Sequence, residues 1–144
     1  MKSKIPATLL IVTIVTTLFL ASCQPPKPAA LSNDQVVQVV ENTLKAINAG
    51  DYQSFTQDFS AEMKNAFTEE QFTSLADMLQ NASGNYVSCA DSEPALSNNQ
   101  DYAVYRLTCT YEKEGVIVTV TFKVDGDKVE GLFFDSTNLR KISQ

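Results

Sequence analysis

The chain has 144 residues, of which 44% are hydrophobic and 19% charged, and it contains neither His nor Trp. Because His is the usual general base of nucleophilic enzymes and the commonest metal ligand, its absence excludes the Ser-His-Asp and Cys-His types of enzyme. The 17 acidic and 11 basic residues give a net charge of −6. This balance argues against nucleic acid as a partner, because nucleic-acid binding depends on clustered Lys and Arg.

The first segment, residues 1–22, has the pattern of an export signal. Two lysines precede an uncharged apolar run from Ala7 to Leu20. A helix that spans a bilayer needs about 20 residues, so this run is too short to span one. Its length is typical of a signal-peptide core. The run ends in the sequence LASC, whose last residue is Cys23, and this tetrapeptide resembles the bacterial lipobox. We therefore expect cleavage before Cys23 and acylation of its thiol. An ordinary secretory signal and an uncleaved anchor are the alternatives.

Residues 23–31 are predicted to form a tether between the lipid and the folded domain. They contain three prolines, which favour an extended, stiff backbone. Without the two lysines of residues 1–22, the chain keeps 9 basic and 17 acidic residues, a net charge of −8 that anionic lipid repels. We therefore expect the acylated Cys23 to supply the membrane contact, on the outer face of the cell membrane or envelope. Residues 32–144 are then predicted to form a single domain.

Helical periodicity dominates the first half of this domain. Apolar residues spaced three and four apart predict a helix over Ser32–Asn48, with Ser32 or Asn33 as its N-cap and Gly50 as its terminator. Asp51 and Ser60 each begin a short helix, and the sequence TEEQ at 68–71 is a capping box for a last helix that Gly84 ends. The residues of these helices that we predict to face the core are Val36, Val37, Val40, Leu44, Ile47, Tyr52, Phe55, Phe59, Met63, Phe67, Phe72, Leu75, Met78 and Leu79.

From residue 86 onward the apolar period becomes two, which predicts strands. Strand-like segments cover 86–90, 102–111, 116–124 and the residues after 128, with turns at 112–115 and 125–128. Helices followed by an antiparallel meander, each with one apolar face, give a two-layer domain. The predicted fold class is therefore α+β, with N-terminal helices packed on a curved four-stranded antiparallel meander sheet.

Cys89 and Cys109 are predicted to form a disulfide, because they are the remaining pair in a chain expected to be exported. Pairing their strands with Cys89 opposite Cys109 puts Val87 opposite Tyr111 and brings the Cβ atoms to about 4.5–5.5 Å, near what a disulfide needs. A redox or metal pair is the alternative. No C-x-x-C motif or third ligand accompanies the two residues, so we expect neither a metal nor a cofactor.

The two predicted turns set the strand registers. They place Tyr111 opposite Val116, and Val124 opposite Val129 with Phe122 opposite Gly131. In these registers the apolar side chains share one face, which includes Tyr105 and Tyr111. Two residues of the last strand, Leu132 and Phe134, then project from the polar face. We expect either that the C-terminal tail covers them or that they form an exposed apolar spot for a partner.

Short motifs in a fixed order resemble those of an uncharacterised family, domain of unknown function 3887. The motifs are Gly50-Asp51-Tyr52, Phe55, Asp58-Phe59, Met63-Lys64 and GLFFDS at 131–136 with Leu139. The resemblance covers about residues 36–139. It implies a cystatin-like, or nuclear-transport-factor-2-like, fold in a secreted lipoprotein. It carries no catalytic residues, and the cysteine pair is not part of the family pattern.

Two classes of function are compatible with these observations. The first is a non-catalytic module that binds a small apolar ligand or an envelope protein. The second is a small enzyme of the steroid-isomerase or dehydratase type, which needs a pocket acid beside a tyrosine, although no Asp or Glu accompanies the tyrosines on the predicted strands. A purely structural or inhibitory envelope protein is a third possibility. The candidate binding residues are Tyr52, Tyr105, Tyr111, Leu132 and Phe134.

Overall fold

The structure, a computed structural model, describes residues 29–89, 94–99 and 101–142. Four helices come first: α1 (Asn33–Ala49), α2 (Tyr52–Phe55), α3 (Ala61–Ala66) and α4 (Glu69–Ser83). Five strands and a last helix follow: β1 (Tyr86–Ser88), β2 (Ala95–Asn98), β3 (Tyr102–Tyr111), β4 (Gly115–Lys123), β5 (Val129–Asp135) and α5 (Thr137–Ile142). The predicted export signal and Cys23 lie outside the described residues. None of the helices in the described ranges has the length and hydrophobicity to cross a membrane.

The two long helices begin and end at the capping groups that the sequence predicts. The Ser32 hydroxyl accepts a hydrogen bond from the Gln35 amide N–H, and the Gln35 side chain accepts one from the Ser32 amide. Thr68 and Gln71 form the same reciprocal pair at the start of α4. Gly50 follows α1 with a φ of 66°, in the left-handed region that glycine adopts without steric cost. Both helices therefore lie within one residue of their predicted bounds.

The sheet is antiparallel, with the order β1-β3-β4-β5, and β2 pairs with β3 as well. β1 pairs with residues 110–111 of β3 and β2 with residues 103–106, so the two short strands lie one after the other along the same edge. The sheet thus has five strands where the sequence predicted four. The predicted α+β class, with helices before an antiparallel sheet, is confirmed.

The register between β3 and β4 differs from the prediction by two residues. Cys109, and not Tyr111, lies opposite Val116. The turn is tighter than predicted, because the Tyr111 amide N–H already donates to the Glu114 carbonyl oxygen at 3.0 Å. A shift of two leaves the same side chains on each face, so the predicted apolar face is still the buried one. Its buried residues on β3 and β4 are Ala103, Tyr105, Leu107, Cys109, Tyr111, Val116, Val118, Val120 and Phe122.

The register between β4 and β5 contains an irregularity that the sequence analysis did not predict. Phe122 lies opposite Val129, whereas Thr121 lies opposite Gly131, so β5 holds one extra residue between these two pairs. The prediction that Phe122 faces Gly131 is therefore wrong. Because side chains alternate between the two faces of a strand, one extra residue moves every later side chain of β5 to the opposite face.

This inversion changes the position of three apolar side chains. Leu132 and Phe134 are partly buried and pack against the core, contrary to the prediction that they project from the polar face. Phe133 takes the outward position and is 64% exposed. Leu132 and Phe134 therefore do not form an exposed spot, and Leu139 of the C-terminal tail is buried in the same core cluster.

Phe134→Ala is expected to lower the free energy of unfolding by about 2 kcal/mol, because it removes a partly buried ring from the core. Phe133→Ala, the adjacent control, is expected to change it by less than about 0.5 kcal/mol, as is usual for an exposed position. Urea denaturation of both variants measures the difference. Equal losses, or a larger loss for Phe133→Ala, would contradict the observed register.

The helices close over the apolar face of the sheet through a cluster of aromatic rings. The Phe55 side chain is 1% exposed, and its ring centroid lies 4.8 Å from those of Phe59 and Phe72 and 5.4 Å from that of Phe67. These four rings join α2, α3 and α4 into one unit, so the core extends well beyond the sheet.

The predicted disulfide between Cys89 and Cys109 is present, and both residues are buried. The neighbouring pair differs from the prediction. Tyr86, and not Val87, lies opposite Tyr111, because the register shifts within β1. Val87 is consequently exposed.

The chain enters the domain beside the turn between β4 and β5. The Ala30 amide N–H donates to the Val124 carbonyl oxygen at 2.9 Å, and the Tyr105 hydroxyl donates to the Leu31 carbonyl oxygen at 3.0 Å. Residues 29–31, the end of the predicted tether, are thus packed on the domain.

Candidate functional site

A cleft of about 420 Å³ opens between the ends of α1 and α4, at the end of the sheet where β3 turns into β4. Tyr111, the last residue of β3, forms part of its wall. α1 contributes its last residues, and α4 contributes a face that runs from Phe72 to Gln80; the capping glycines Gly50 and Gly84 that follow the two helices also line the cleft. The other lining residues are Ile47, Asn48, Ala49, Phe72, Thr73, Ala76, Asp77, Leu79, Gln80 and Asn85.

The Tyr111 hydroxyl is buried and has no hydrogen-bond partner within the described part of the chain. Its ring meets the Tyr86 ring edge to face, with centroids 5.8 Å apart. Burial raises the pKa of Tyr111, so the hydroxyl is neutral and can both donate and accept a hydrogen bond. Buried polar groups are nearly always paired. Its oxygen has essentially no accessible surface, so the hydroxyl lies in the packed interior beneath the cleft wall and does not reach the open part of the cleft.

The charge of the residues that line the cleft is negative. Of the described residues that line it, Asp77 alone carries a charged side chain. α1 ends at the cleft without a basic residue in its last turn, so the partial negative charge of its last carbonyl groups is not offset there.

Two charged neighbours lie beside the cleft and offset each other. The Lys113 ammonium group donates to the carbonyl oxygens of Gln80 and Asn81, at 3.3 and 2.9 Å, and so covers the end of α4. The Glu112 carboxylate accepts from the backbone and side chain of Asn85, and these hydrogen bonds lower the pKa of Glu112. The charge of Asp77 is thus left without an offsetting cation among the lining residues.

Of the five predicted binding residues, the structure brings one, Tyr111, to the cleft. The Tyr52 hydroxyl donates a hydrogen bond to the Phe67 carbonyl oxygen at 2.6 Å, and the Tyr105 hydroxyl donates one to the Leu31 carbonyl oxygen. Both hydroxyls therefore serve the fold. Leu132 and Phe134 pack on the core, away from the cleft.

The sequence analysis missed the residues of α4 that line the cleft. Thr73, Ala76, Asp77 and Gln80 are spaced by three, one and three residues, which places them on one helix face. They form a second face beside the apolar one that carries Phe72 and Leu79. That spacing was available in the sequence, but nothing in it indicated that this face borders a cavity.

Glu41 and Tyr86 form a polar network behind the cleft. The Tyr86 hydroxyl donates to Glu41 Oε1 at 2.9 Å, and Lys45 lies 3.0 Å from Glu41 Oε2. The hydrogen bond from Lys45 lowers the pKa of Glu41, whereas burial raises that of Tyr86. The network therefore holds an ionised carboxylate and a neutral phenol.

Glu114 joins α4, the turn after β3 and the start of α5. Its Oε1 accepts hydrogen bonds from the hydroxyls of Ser83 at 2.7 Å and Ser136 at 2.6 Å, and its Oε2 accepts from the Asn138 amide N–H at 3.2 Å. Burial opposes ionisation, but these hydrogen bonds outweigh it and lower the pKa of Glu114 below its ordinary value of 4.5. Glu114 thus acts as a structural carboxylate.

Glu114→Gln is expected to lower the free energy of unfolding at pH 7 by about 1–3 kcal/mol, the range for hydrogen bonds to a charged group. A lowered pKa contributes stability above the ordinary value of 4.5, and this contribution is lost as the pH falls toward the lower folded value. The difference between wild type and variant should therefore shrink below about pH 4.5. Urea denaturation from pH 7 to pH 3 measures it, with the exposed Glu70→Gln as control. A constant difference would contradict the account.

No group of three His, Cys, Asp or Glu side chains that could hold a metal ion occurs within residues 29–89, 94–99 and 101–142. The described lining residues offer polar groups from Thr73, Gln80 and Asn85, the Asp77 carboxylate and a small amount of apolar surface.

The chain matches the family model described as "Protein of unknown function (DUF3887)" over residues 40–132. Because the match covers well over half of the sequence, the protein belongs to this family, as its motifs predicted. Neither a curated protein nor a solved structure shows significant similarity to it. The lipoprotein anchor and the cystatin-like or nuclear-transport-factor-2-like fold stay predictions.

Proposed function

We propose that the protein is a lipid-anchored extracytoplasmic module, without catalytic activity, that binds a small, partly apolar ligand in the cleft beside Tyr111. The observation that carries this proposal is the cleft itself. Its volume of about 420 Å³ lies within the range of about 300–1,000 Å³ for small-molecule sites. Ile47, Phe72 and Leu79 are apolar lining residues, and Thr73, Asp77 and Gln80 add polar groups, which is the combination of apolar and polar lining that such sites use.

The position of the cleft relative to the predicted anchor supports this function. The chain enters the domain where Ala30 bonds Val124, and Val124 in turn bonds Asp101 at the start of β3. The cleft lies at the other end of β3, whose ten residues span about 30 Å. With Cys23 acylated, the cleft would therefore lie at the end of the sheet far from the point where the tether enters the domain.

The carboxylates of Glu41 and Glu112, which contact the residues around the cleft, favour binding over catalysis. An isomerase or dehydratase of the kind considered above needs a carboxylic acid whose pKa is raised by an apolar pocket. Glu41, which reaches Tyr111 through Tyr86, has a lowered pKa, and so does Glu112. Neither is suited to donate a proton near neutral pH.

A thermal-shift screen with a small-fragment library tests the proposed site. Ala76→Trp places a large ring at a lining position of α4 and is expected to abolish the shifts that fragments cause in the wild type. Ala66→Trp, at an exposed position at the end of α3, is the matched control and should keep them. Fragments that still bind Ala76→Trp as strongly as the wild type would place the ligand elsewhere.

Replacement of Cys23 by Ala tests the proposed anchor. The variant has no thiol at residue 23 to acylate, so it is expected to lose the lipid label that cells fed a labelled fatty acid put on the wild type. Acyl chains on one cysteine are what would anchor the protein stably, because a domain with a net charge of −8 is not attracted to anionic lipid. Labelling of cells that express the full chain, followed by isolation of the protein, measures this. A wild-type protein without label, or equal label on both proteins, would refute the anchor at Cys23.

A further inference from the structure

We propose that two copies of this chain associate through the outer face of the sheet, with a twofold axis that runs along β4. The outer face is formed by the side chains of β3, β4 and β5 that point away from the helices. Phe133 lies on it and is 64% exposed, and Val104 and Ile117 lie on it partly exposed. An apolar surface that the described residues leave uncovered favours association with a protein. The pairing of residues on this face, its charges and the position of the tether indicate that this protein is a second copy of the chain.

The rows of residues across the outer face are complementary to themselves. Arg106 of β3 lies opposite Thr119 of β4, which in turn lies opposite Phe133 of β5. Neighbouring strands are about 4.8 Å apart, so Arg106 and Phe133 lie at equal distances on either side of the central strand. A twofold axis along β4 exchanges the positions of β3 and β5. It therefore places the Arg106 guanidinium group of each copy on the Phe133 ring of the other, a cation–π pair that forms twice.

The next row contains a hollow that a second copy can fill. Gly131 of β5 lies opposite Thr121, which lies opposite Val104 of β3. The fold itself has room for a side chain at Gly131, because an added Cβ would meet Thr121 at 3.6 Å, an ordinary contact, and the backbone there has no positive φ. The same axis places Val104 of each copy over Gly131 of the other. The missing side chain thus lets the two sheets approach each other closely.

The distribution of charge favours this face as the place where two copies meet. Residues 23–144 carry a net charge of −8, so two copies repel each other through most of their surface. On the outer face opposite charges offset one another. Lys123 lies 3.2 Å from Glu130, and the Asp135 carboxylate accepts a hydrogen bond from Arg140. That hydrogen bond and the charge of Arg106 lower the pKa of Asp135. The surplus of acidic groups therefore lies on the other surfaces.

The position of the tether agrees with the same axis. The chain enters the domain where the Ala30 amide N–H donates to the Val124 carbonyl oxygen, one residue beyond the end of β4. Because rotation about an axis along β4 keeps both ends of the strand in place, the two entry points lie at the same end of the pair. Two chains anchored through Cys23, as proposed above, would then reach the same bilayer. Their confinement to one membrane raises the effective concentration of each copy for the other.

Chemical cross-linking in intact cells that express the full chain tests this interface. Thr119 lies on the proposed axis, so a cysteine there faces its own counterpart in the second copy, across two sheets packed about 10 Å apart. A short bismaleimide is therefore expected to join Thr119→Cys chains into dimers. Ser74→Cys, at an exposed position of α4 in the helical layer, is the matched control and should stay monomeric. The wild type shows any cross-linking that the native cysteines contribute.

Two further substitutions, each combined with Thr119→Cys, test the individual contacts. Phe133→Ala removes both cation–π pairs and should lower the association constant about tenfold, so the cross-linked fraction should fall. Gly131→Val fills the hollow and should abolish the cross-link. Because valine favours strands, the melting temperature of this variant should not fall.

A cross-linked species that has the mass of two chains, and that both substitutions reduce, would support the proposal. Absence of cross-linking in Thr119→Cys, equal cross-linking in Ser74→Cys, or no effect of the two substitutions would overturn it. A species that contains a different protein would place another partner on the outer face and would contradict the proposal as well. None of the substituted residues lines the cleft, so these outcomes are independent of the proposed ligand binding.

Discussion

Removal of the disulfide by the double substitution Cys89→Ala and Cys109→Ala is expected to lower the free energy of unfolding by about 3 kcal/mol. The bond joins residues 20 positions apart, and a loop of this length contributes about 3 kcal/mol in the chain-entropy model. It also ties the residue after β1 to β3 covalently. Urea denaturation of the oxidised wild type and the variant measures the loss.

The matched control for this prediction is the wild type in reducing agent, which breaks the same bond without removing the sulfur atoms from the core. Both samples should lose similar stability. The interactions of Asn48 with the backbone of Tyr86, at 2.9 and 3.0 Å, hold the start of β1 independently of the disulfide, so the folded variant should keep its cleft. A loss below about 1 kcal/mol in both samples would show that the disulfide does not restrain the unfolded chain as the entropy model requires.

Phe55→Ala is expected to have the largest effect of any single substitution considered, a loss of about 3–5 kcal/mol. The Phe55 ring is buried at the centre of the aromatic cluster and contacts the rings of Phe59, Phe67 and Phe72. Its removal leaves a cavity that three surrounding elements cannot fill by relaxing. Because single domains have a total stability of about 5–15 kcal/mol, this loss can remove a large share of the folded population.

Phe55→Leu is the control, because it keeps most of the side-chain volume and should lose less than half as much as the alanine variant. Thermal unfolding followed by circular dichroism compares the two with the wild type. A small loss for Phe55→Ala would mean that α2 and α3 are not part of the cooperative core.

The features predicted correctly are those that local chemistry determines. The caps at Ser32, Gly50, Thr68 and Gly84 act within one turn of the chain, and the alternation along β3 and β4 decides which face is buried. A register error of two residues left that face unchanged. The fold class and the core therefore followed from the sequence even where the turn after Tyr111 was predicted too long.

The errors lie where contacts distant in sequence decide the structure. β2 has four residues and no extended alternation, and it forms because β3 offers an unpaired edge beyond β1. The extra residue in β5 has no signal that distinguishes it from regular pairing, yet it inverts Leu132, Phe133 and Phe134. The residue types at these three positions therefore did not determine which face of the sheet each side chain occupies.

The cleft could be predicted only in part. The alternation of β3 placed Tyr111 on the apolar face, but whether its hydroxyl finds a partner depends on α1 and α4, which pack there from elsewhere in the chain. The face of α4 that carries Ala76 and Asp77 has the spacing of a helix face, and its polar residues alone would have indicated contact with solvent.

The most direct test of the central claim is a map of amide chemical-shift changes by NMR when residues 23–144, with Cys23 replaced by Ala, are titrated with a fragment that shifts the melting temperature of the wild type but not that of Ala76→Trp. We predict that the shifts concentrate at Ala76, Asp77 and Asn85 and at the end of β3, around the cleft. Shifts confined to the outer face of the sheet, around Arg106, Thr119 and Phe133, would contradict the account and locate binding on the face that the helices leave open.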